Sequence, residues 1–248
     1  MRLPSMDRVY CKLVHQDMSY KGDFDPASSV TKILDLPGKP GSLAVIVPPW
    51  HANKKILERR AYYEQRRNGN AVLAFLIDDN VLSSNVDRTL ASMAVIASFI
   101  AKKVQDRKPK KFHAIATSLG SVPLLQAVGE HDLQPDTLNL VVPGGSLAKS
   151  LWTGYRTQAL RAQFEAQGIT LPDLENSWRV LSPTFQAARV HGANVQITVS
   201  SADEIILPGT AHELATSFKN AGNNVTLRSL PGLGHYGSIV VDALQHWR

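Results

Sequence analysis

FHAIATSLG, residues 112–120, is an apolar strand sequence that runs directly into a serine between small residues. Ala116 and Gly120 stand two positions before and two positions after Ser118, and residues 121–125 continue as the start of an apolar helix. A serine on a tight turn between a strand and a helix exposes its hydroxyl to a base and to backbone N–H donors. The pattern makes Ser118 the candidate nucleophile, and the alternative is a serine that only caps the helix.

A histidine suited to act as the base follows the last predicted strand. Residues 225–230 form this strand, and they lead into the turn PGLGHYG at 231–237, in which His235 lies among glycines. A glycine-rich loop loses much chain entropy on folding and buries little surface, so packing explains a histidine there poorly. We therefore expect His235 to be the general base.

A carboxylate that can orient the histidine lies between these two segments. Residues 195–199 form a short buried strand, and Asp203 and Glu204 follow it. Either carboxylate can accept a hydrogen bond from a histidine N–H, so both are candidates at this point. Asp78 and Asp79 follow a different strand, and we expect them to be loop or helix-capping groups.

The chain order of serine, carboxylate and histidine, each after a strand, resembles the α/β-hydrolase superfamily. The resemblance begins near Leu43, and its second half is similar to dienelactone-hydrolase-like and monoacylglycerol-lipase-like members. It implies a catalytic triad of Ser118, Asp203 and His235, because aspartate is the commoner acid in these families. Ala116 departs from the family pattern, which most often has glycine at this position.

The resemblance also implies two backbone donors for the oxyanion that forms when the serine attacks a carbonyl. Leu119, directly after the nucleophile, is the first. The second comes from the loop after strand 43–47, where prolines replace the family's His-Gly pair at 48–49 and have no N–H to donate. Trp50 is then the first residue able to donate, with the N–H of His51 as the alternative.

From residue 43 onward, predicted strands alternate with predicted helices, which is typical of a mostly parallel sheet with helices on both faces. The expected strands are 43–47, 71–77, the strand before Ser118, 137–142, 195–199 and 225–230, preceded by an antiparallel edge at 8–15 and 30–36. Asn53 and Gly69 bound one helix, and Ser84 and Asp87 start another. In the second helix, helical spacing places four residues toward the core: Leu90, Met93, Ala97 and Ile100. A chain of 248 residues that is 44% hydrophobic suits one α/β-hydrolase domain over 1–248.

Residues 146–189 interrupt this alternation, because they are rich in helix formers and contain no strand. We expect a small helical cap insertion here, with one helix from 151 to about Gly168 and a second over 174–181. In the superfamily such an insertion covers the active site. Trp152, Tyr155 and Trp178 are candidates for lining the acyl pocket, although aromatic residues at helical spacing are more often packing residues.

The net charge of +6 raises the question of a nucleic-acid partner. One basic group lies at the end of a helix and the start of the strand before Ser118: Lys102, Lys103, Arg107, Lys108, Lys110 and Lys111. That position is at the sheet edge opposite the catalytic loops. A second group lies along another helix, interrupted by Glu58 and Glu64 at pairing distance: Lys54, Lys55, Arg59, Arg60, Arg66 and Arg67. Neither group is interleaved with aromatic residues, so we expect no nucleic-acid binding.

Composition adds several negative expectations. No stretch approaches the ~20 apolar residues of a membrane span, and the first residues lack the apolar run of a secretory signal. The single cysteine, Cys11, cannot form an internal disulfide, and the default is a reducing cytoplasm. The remaining histidines lack the paired spacing of zinc ligands, so we expect neither a metal nor a cofactor.

These features predict a serine hydrolase that cleaves a carboxylic ester through an acyl-enzyme on Ser118. The substrate would be a small acyl compound, and an ester is favoured because ester cleavage is the commonest chemistry on this fold. A thioesterase or an acyltransferase with the same triad is an alternative, as is a non-catalytic binding protein with the hydrolase fold. The pattern leaves the acyl-chain length and the oligomeric state open.

Overall fold

A seven-stranded sheet forms the centre of residues 28–246, the part of the chain that the computed structural model describes. Its strands are β1 (Val30–Leu36), β2 (Lys39–Val47), β3 (Asn70–Ile77), β4 (Lys111–Thr117), β5 (Thr137–Val141), β6 (Asn194–Ser200) and β7 (Asn224–Leu230). They lie in the order β1-β3-β2-β4-β5-β6-β7, with β1 antiparallel to β3 and every other pair parallel. The predicted α/β class is confirmed. The predicted strand over 8–15, with Cys11, lies outside the described residues.

Helices connect the parallel strands. They are α1 (Lys54–Asn68), α2 (Val86–Arg107), α3 (Ser121–Glu130), α4 (Leu147–Thr153), α5 (Gln158–Ala166), α6 (Leu171–Ser177), α7 (Pro183–Ala187), α8 (Pro208–Asn220) and α9 (Gly234–His246). None of the helices in the described part of the chain has the length and apolar character needed to cross a membrane.

The side chains of β2 show how the sheet is buried on both faces. Successive residues of a strand point to opposite faces. Val45 and Val47 pack into the larger core with residues of α2 and α3, whereas Ala44 and Ile46 pack into a second core with residues of α1. A strand covered on both faces is apolar at nearly every position, which explains the unbroken apolar run in its sequence.

The ends of α1 and α2 show which side chains cap these helices. The Asn53 side chain accepts a hydrogen bond from the Ile56 N–H at 3.0 Å, and α1 ends at Gly69 in the left-handed conformation, as predicted. The predicted start of α2 at Ser84 is wrong. Asn85 caps it instead, because its side chain lies three residues before the Arg88 N–H and accepts from it at 3.0 Å.

The four residues of α2 that were predicted to face the core do so. Met93, Ala97 and Ile100 are buried, and Leu90 is half-buried against the same core.

The charged residues of α1 form fewer internal pairs than predicted. Lys54 Nζ lies 3.7 Å from Glu58 Oε1, as the i,i+4 spacing indicates. Glu64 instead accepts hydrogen bonds from the side-chain amides of Asn68 and Asn70, at 2.7 and 2.9 Å. Arg60 lies 3.8 Å from Asp242 of α9, which shows that α1 and α9 are neighbours.

The segment between β5 and β6 contains four short helices, α4 to α7, in place of the two that were predicted. Two 3-10 turns, Tyr155–Thr157 and Arg179–Leu181, divide it. The helix α6 begins with a capping box between Thr170 and Asp173, and the hydrogen bonds from Thr170 hold the pKa of the Asp173 carboxyl below its ordinary value. The segment is therefore built from several short, separately capped pieces.

Trp178, a candidate for the acyl pocket, is a core residue of this segment and is not among the described residues that line the cavity beside Ser118, so it has the packing role that is commoner for aromatic residues at helical spacing. Its side chain is fully buried, and its ring meets Phe164 edge to face with the centroids 5.7 Å apart. Its Nε1 donates to the carbonyl oxygen of Val86, at the start of α2, at 3.1 Å. A buried indole needs such an acceptor, and this one attaches the segment to the body of the fold.

Candidate active site

The turn between β4 and α3 presents Ser118 in a strained conformation. The strand ends at Thr117, a 3-10 turn covers Ser118–Gly120, and α3 begins at the next residue. Ser118 has a φ of 51°, in the left-handed region that costs an L-residue about 1–3 kcal/mol. The hydroxyl of Ser121 donates to the Ser118 carbonyl oxygen at 2.7 Å and helps to hold the turn.

Ser118, His235 and Asp203 form one continuous chain of hydrogen-bonded side chains. Nε2 of His235 lies 3.0 Å from the Ser118 Oγ, and its Nδ1 lies 2.7 Å from the Asp203 Oδ2. All three residues are buried. An ionised carboxylate can only accept, so Nδ1 carries the proton and Nε2 is left to receive the serine proton.

The loop after β6 selects Asp203 over Glu204 as the partner of the histidine. Besides its contact with His235, the Asp203 carboxylate accepts from the backbone N–H groups of Ile205 and Ile206, at 2.8 and 2.7 Å. These bonds hold its second oxygen toward the imidazole. Glu204 takes part through its backbone, since its carbonyl oxygen accepts from the Tyr155 N–H at 3.1 Å.

Gly120 allows the loop after β2 to lie directly against the Ser118 turn. A Cβ at this position would stand 2.4 Å from the Pro48 carbonyl oxygen and 2.5 Å from that of Val47. The φ of Gly120 is −58°, which any residue can adopt, so the requirement is for space. The close approach brings Trp50 to the cavity that Ser118 and Leu119 line.

Two backbone N–H groups of the β2 loop differ in their availability to an oxyanion. The N–H of His51, the alternative donor, already donates to Oδ1 of Asp79 at 3.0 Å. The N–H of Trp50 has no acceptor among the described residues. Of these two donors, only that of Trp50 is open to a ligand.

Asp79 holds this loop, a role that sequence reasoning did not find. Its carbonyl oxygen accepts from the Trp50 indole Nε1 at 2.9 Å, and its Oδ2 lies 2.8 Å from His51 Nδ1. His51 has a φ of 60°, so the carboxylate stabilises a residue in the left-handed region. The neighbouring Asp78 is the capping residue, accepting from the Asn80 N–H at 2.8 Å.

A small apolar cavity of about 70 Å³ adjoins Ser118. Its lining includes Leu119, Val122, Leu147, Leu151, Ile205 and Ile206. Trp152 and Tyr155, the other two candidates for the acyl pocket, are not among the described residues that line it. Trp152 instead packs, half-buried, under the guanidinium of Arg161, 5.3 Å from its ring centroid. The aromatic residue among the described lining is Trp50, from the loop after β2.

Histidines outside this site make structural contacts. Nδ1 of His113 lies 2.7 Å from the Thr137 Oγ1, and Nδ1 of His191 lies 2.9 Å from the Ala221 carbonyl oxygen. Within residues 28–246, no three His, Cys, Asp or Glu side chains are grouped in a way that could hold a metal ion.

Comparison with solved structures identifies the architecture. Carboxyl esterase 2 from the mycorrhizal fungus Tuber melanosporum matches with a TM-score of 0.61 at 14% identity, over 96% of this chain and 94% of that one. The chain has the α/β-hydrolase fold. No family model matches the sequence, and no match is found among curated proteins.

Other α/β-hydrolase structures give the same result. The monoacylglycerol lipase of Paleococcus ferrophilus matches with a TM-score of 0.54 at 16% identity, over 87% of this chain and 97% of that one. Acetyl xylan esterase 1 from Thermoanaerobacterium sp. JW/SL YS485 matches with a TM-score of 0.60 at 12% identity, over 86% of this chain and 78% of that one. At such low identity the likeness establishes the fold, and the resemblance inferred from sequence is confirmed at that level.

The contact at Gly120 predicts the effect of adding one methyl group. In Gly120→Ala the new Cβ would collide with two backbone carbonyl groups, so either the Ser118 turn or the β2 loop must move. We expect a loss of about 1–3 kcal/mol in the free energy of unfolding, measured by urea denaturation.

Gly209→Ala is the matched control, because a Cβ at that position in α8 meets no atom within 4 Å. This change should be neutral or stabilise the protein by up to about 1 kcal/mol, since alanine favours the helix. Equal stabilities for the two variants would contradict the steric role of Gly120.

Proposed function

We propose that this protein is a serine hydrolase that cleaves a carboxylic ester with a short acyl chain. The observation that carries the proposal is the buried chain of hydrogen bonds from Asp203 through His235 to Ser118, with the Ser118 hydroxyl beside an apolar cavity. The esterases and the lipase that share the fold support an ester as the substrate.

Acylation uses the triad in its observed arrangement. As the Ser118 Oγ bonds to the ester carbonyl carbon, its proton moves to Nε2 of His235 and the carbonyl electron pair moves onto the oxygen. The N–H groups of Leu119 and Trp50 stabilise that oxyanion, and Asp203 stabilises the imidazolium. The bond to the alcohol oxygen then breaks, and Nε2 delivers its proton to that oxygen.

Deacylation repeats these steps with water. His235 removes a proton from a water molecule as its oxygen attacks the acyl carbon. The oxyanion forms again beside the same two N–H groups. The bond to Ser118 breaks, the serine oxygen recovers its proton from His235, and the carboxylic acid leaves.

The arrangement of the site favours an enzyme over a binding protein with the same fold. The left-handed conformation of Ser118 is strained, and three polar side chains are buried together. The strain lowers stability, and burying three polar side chains is unfavourable unless their polar atoms are paired. Strained residues and buried ionisable groups of this kind cluster at catalytic sites. A protein that only binds a ligand does not need a serine in a strained conformation.

The size of the cavity supports a short acyl chain. An engineered cavity of about 150 Å³ in another protein accommodates benzene. The cavity beside Ser118 has about half that volume and its surface is largely apolar, so it suits an acyl group of a few carbons.

The triad predicts which variants lose activity. Ser118→Ala should eliminate fluorophosphonate labelling and reduce turnover of p-nitrophenyl acetate by about 10⁴-fold or more, because no acyl-enzyme can form. Asp203→Asn should lower kcat by about 10⁴-fold, since the amide favours the wrong histidine tautomer.

Glu204→Gln is the control for the acid, because Glu204 adjoins Asp203 and the hydrogen bond described for it, from the Tyr155 N–H, is to its backbone carbonyl oxygen. It should keep most of the activity. A loss confined to Glu204→Gln would reverse the assignment of the acid, and full activity of Ser118→Ala would refute the proposed nucleophile.

The Asp79 contacts predict a second effect, on the oxyanion step. Asp79→Ala removes the carboxylate that holds His51, so the Trp50 N–H should be misplaced. We expect kcat for p-nitrophenyl acetate to fall by about 10–100-fold with little change in KM, because the oxyanion forms only after binding. Asp78→Ala removes the neighbouring carboxylate, which accepts hydrogen bonds from the backbone and side-chain amides of Asn80, and should change kcat by less than about threefold. A parallel loss in both variants would mean that the turn is merely structural.

The acyl cavity predicts a chain-length preference that can be moved. For p-nitrophenyl esters, kcat/KM should be highest from acetate to butyrate and lower by about tenfold or more at octanoate. Leu147→Ala enlarges the cavity and should shift the optimum toward longer chains. Leu174→Ala removes the same volume from the core away from the cavity and should leave the optimum unchanged. A preference of the unmodified protein for octanoate would contradict the assignment of this cavity to the acyl group.

A further inference from the structure

Arg156 lies between two residues that belong to the candidate active site. It is the middle residue of the 3-10 turn between α4 and α5. Its Nη1 donates a hydrogen bond to the Tyr236 hydroxyl, and its Cζ lies 5.8 Å from the centroid of the Trp50 ring. Trp50 is on the loop after β2. Tyr236 directly follows His235 and meets its ring edge to face, with the centroids 5.4 Å apart.

The positive charge of Arg156 has no carboxylate partner in the described part of the chain. No Asp or Glu oxygen there lies within 4.0 Å of its guanidinium. The two aspartates that hold the site are engaged with other residues, Asp203 with His235 and Asp79 with His51. A guanidinium has five N–H donors, and the hydrogen bond to Tyr236 uses one of them. A half-buried cation with unused donors is suited to an anionic ligand.

Another arginine of the same segment shows the contrast. Arg161 also lies over a tryptophan, Trp152, but its Nε is 2.9 Å from Glu165 Oε1 one helical turn away. Its charge is therefore balanced within its own helix. Arg156 is only five residues before Arg161, but it lies over Trp50 in the loop after β2 and has no such carboxylate among the described residues.

The position of Arg156 relative to His235 indicates which part of a substrate it meets. In the proposed reaction, His235 gives its proton to the alcohol oxygen, so the alcohol must leave beside the imidazole. Tyr236 lies against that imidazole, and Arg156 is bonded to the Tyr236 hydroxyl. The acyl group has its own apolar cavity, and Arg156 is not among the described residues that line it.

We propose that Arg156 binds an anionic group on the alcohol part of the substrate, so that the substrate is a short-chain ester of an alcohol that carries a carboxylate or a phosphate. Both groups match the planar guanidinium, which can give either one two parallel hydrogen bonds. This inference rests on the hydrolase function proposed above and adds the chemical class of its leaving group.

Paired substrates test the inference. The anionic esters are 3- and 4-acetoxybenzoate and the corresponding acetoxyphenyl phosphates, and the neutral partners are the methyl esters of the two acetoxybenzoates. For the unmodified protein we expect at least one anionic ester to exceed its neutral partner by about 10–100-fold in kcat/KM, mainly through KM. The better of the carboxylate and phosphate series identifies the anion.

Variants at two arginines assign the preference to its residue. In Arg156→Gln, the ratio of anionic to neutral kcat/KM should fall to about 1, whereas Arg156→Lys should keep part of it because the charge remains. Arg161→Gln is the control and should keep the full ratio. A ratio near 1 in the unmodified protein, or one that survives in Arg156→Gln, would overturn the inference and leave the hydrolase proposal intact.

A binding measurement separates the two proposals. Calorimetric titration of Ser118→Ala with 4-hydroxybenzoate and with its methyl ester should show tighter binding of the anion, and adding Arg156→Gln should remove the difference. Equal binding of the two compounds would count against the anion site whether or not the enzyme turns over. Absence of both labelling and ester cleavage in the unmodified protein would instead refute the hydrolase function.

Discussion

The contact between the Ser118 turn and the loop after β2 is the constraint on which the arrangement of this site depends. At position 120, only glycine leaves room for the carbonyl groups of Val47 and Pro48, because a Cβ would collide with both. With the two segments in contact, a strained serine at the end of β4 and an open N–H group on the β2 loop share one cavity. The strain at Ser118 is tolerated because β4 and α3 on either side of the turn are well packed.

The triad depends on the parallel sheet for its assembly. Ser118, Asp203 and His235 are distant in sequence, but each follows a parallel strand, so all three reach the same edge. Burying them is unfavourable unless their polar atoms are paired. Asp203 meets this condition with two backbone donors and the imidazole, and the imidazole meets it with Asp203 and the serine hydroxyl.

The β2 loop is held from two directions. Asp79 binds the Trp50 indole and His51, and Arg156 from the segment between β5 and β6 lies over the same indole. Prolines at 48 and 49 limit the conformations of the loop entering this region. The conformation of the loop is thus linked to the segment between β5 and β6, which also contributes residues to the lining of the cavity beside Ser118.

The sequence alone predicted where most strands lie along the chain. It also predicted the Ser118 turn and the position of His235 in a glycine-rich loop, because periodicity and turn chemistry are local properties. The family resemblance favoured Asp203 over Glu204, but the residues alone left both open. The backbone donors that hold the Asp203 carboxylate toward His235 come together only after folding. Asp79 and Arg156 had no sequence signal, because their partners are 28 residues and 80 residues away. Trp178 stayed open between packing and pocket for a related reason: helical spacing shows that a ring faces inward, but only its tertiary contacts with Val86 and Phe164 decide whether it meets the core or a cavity.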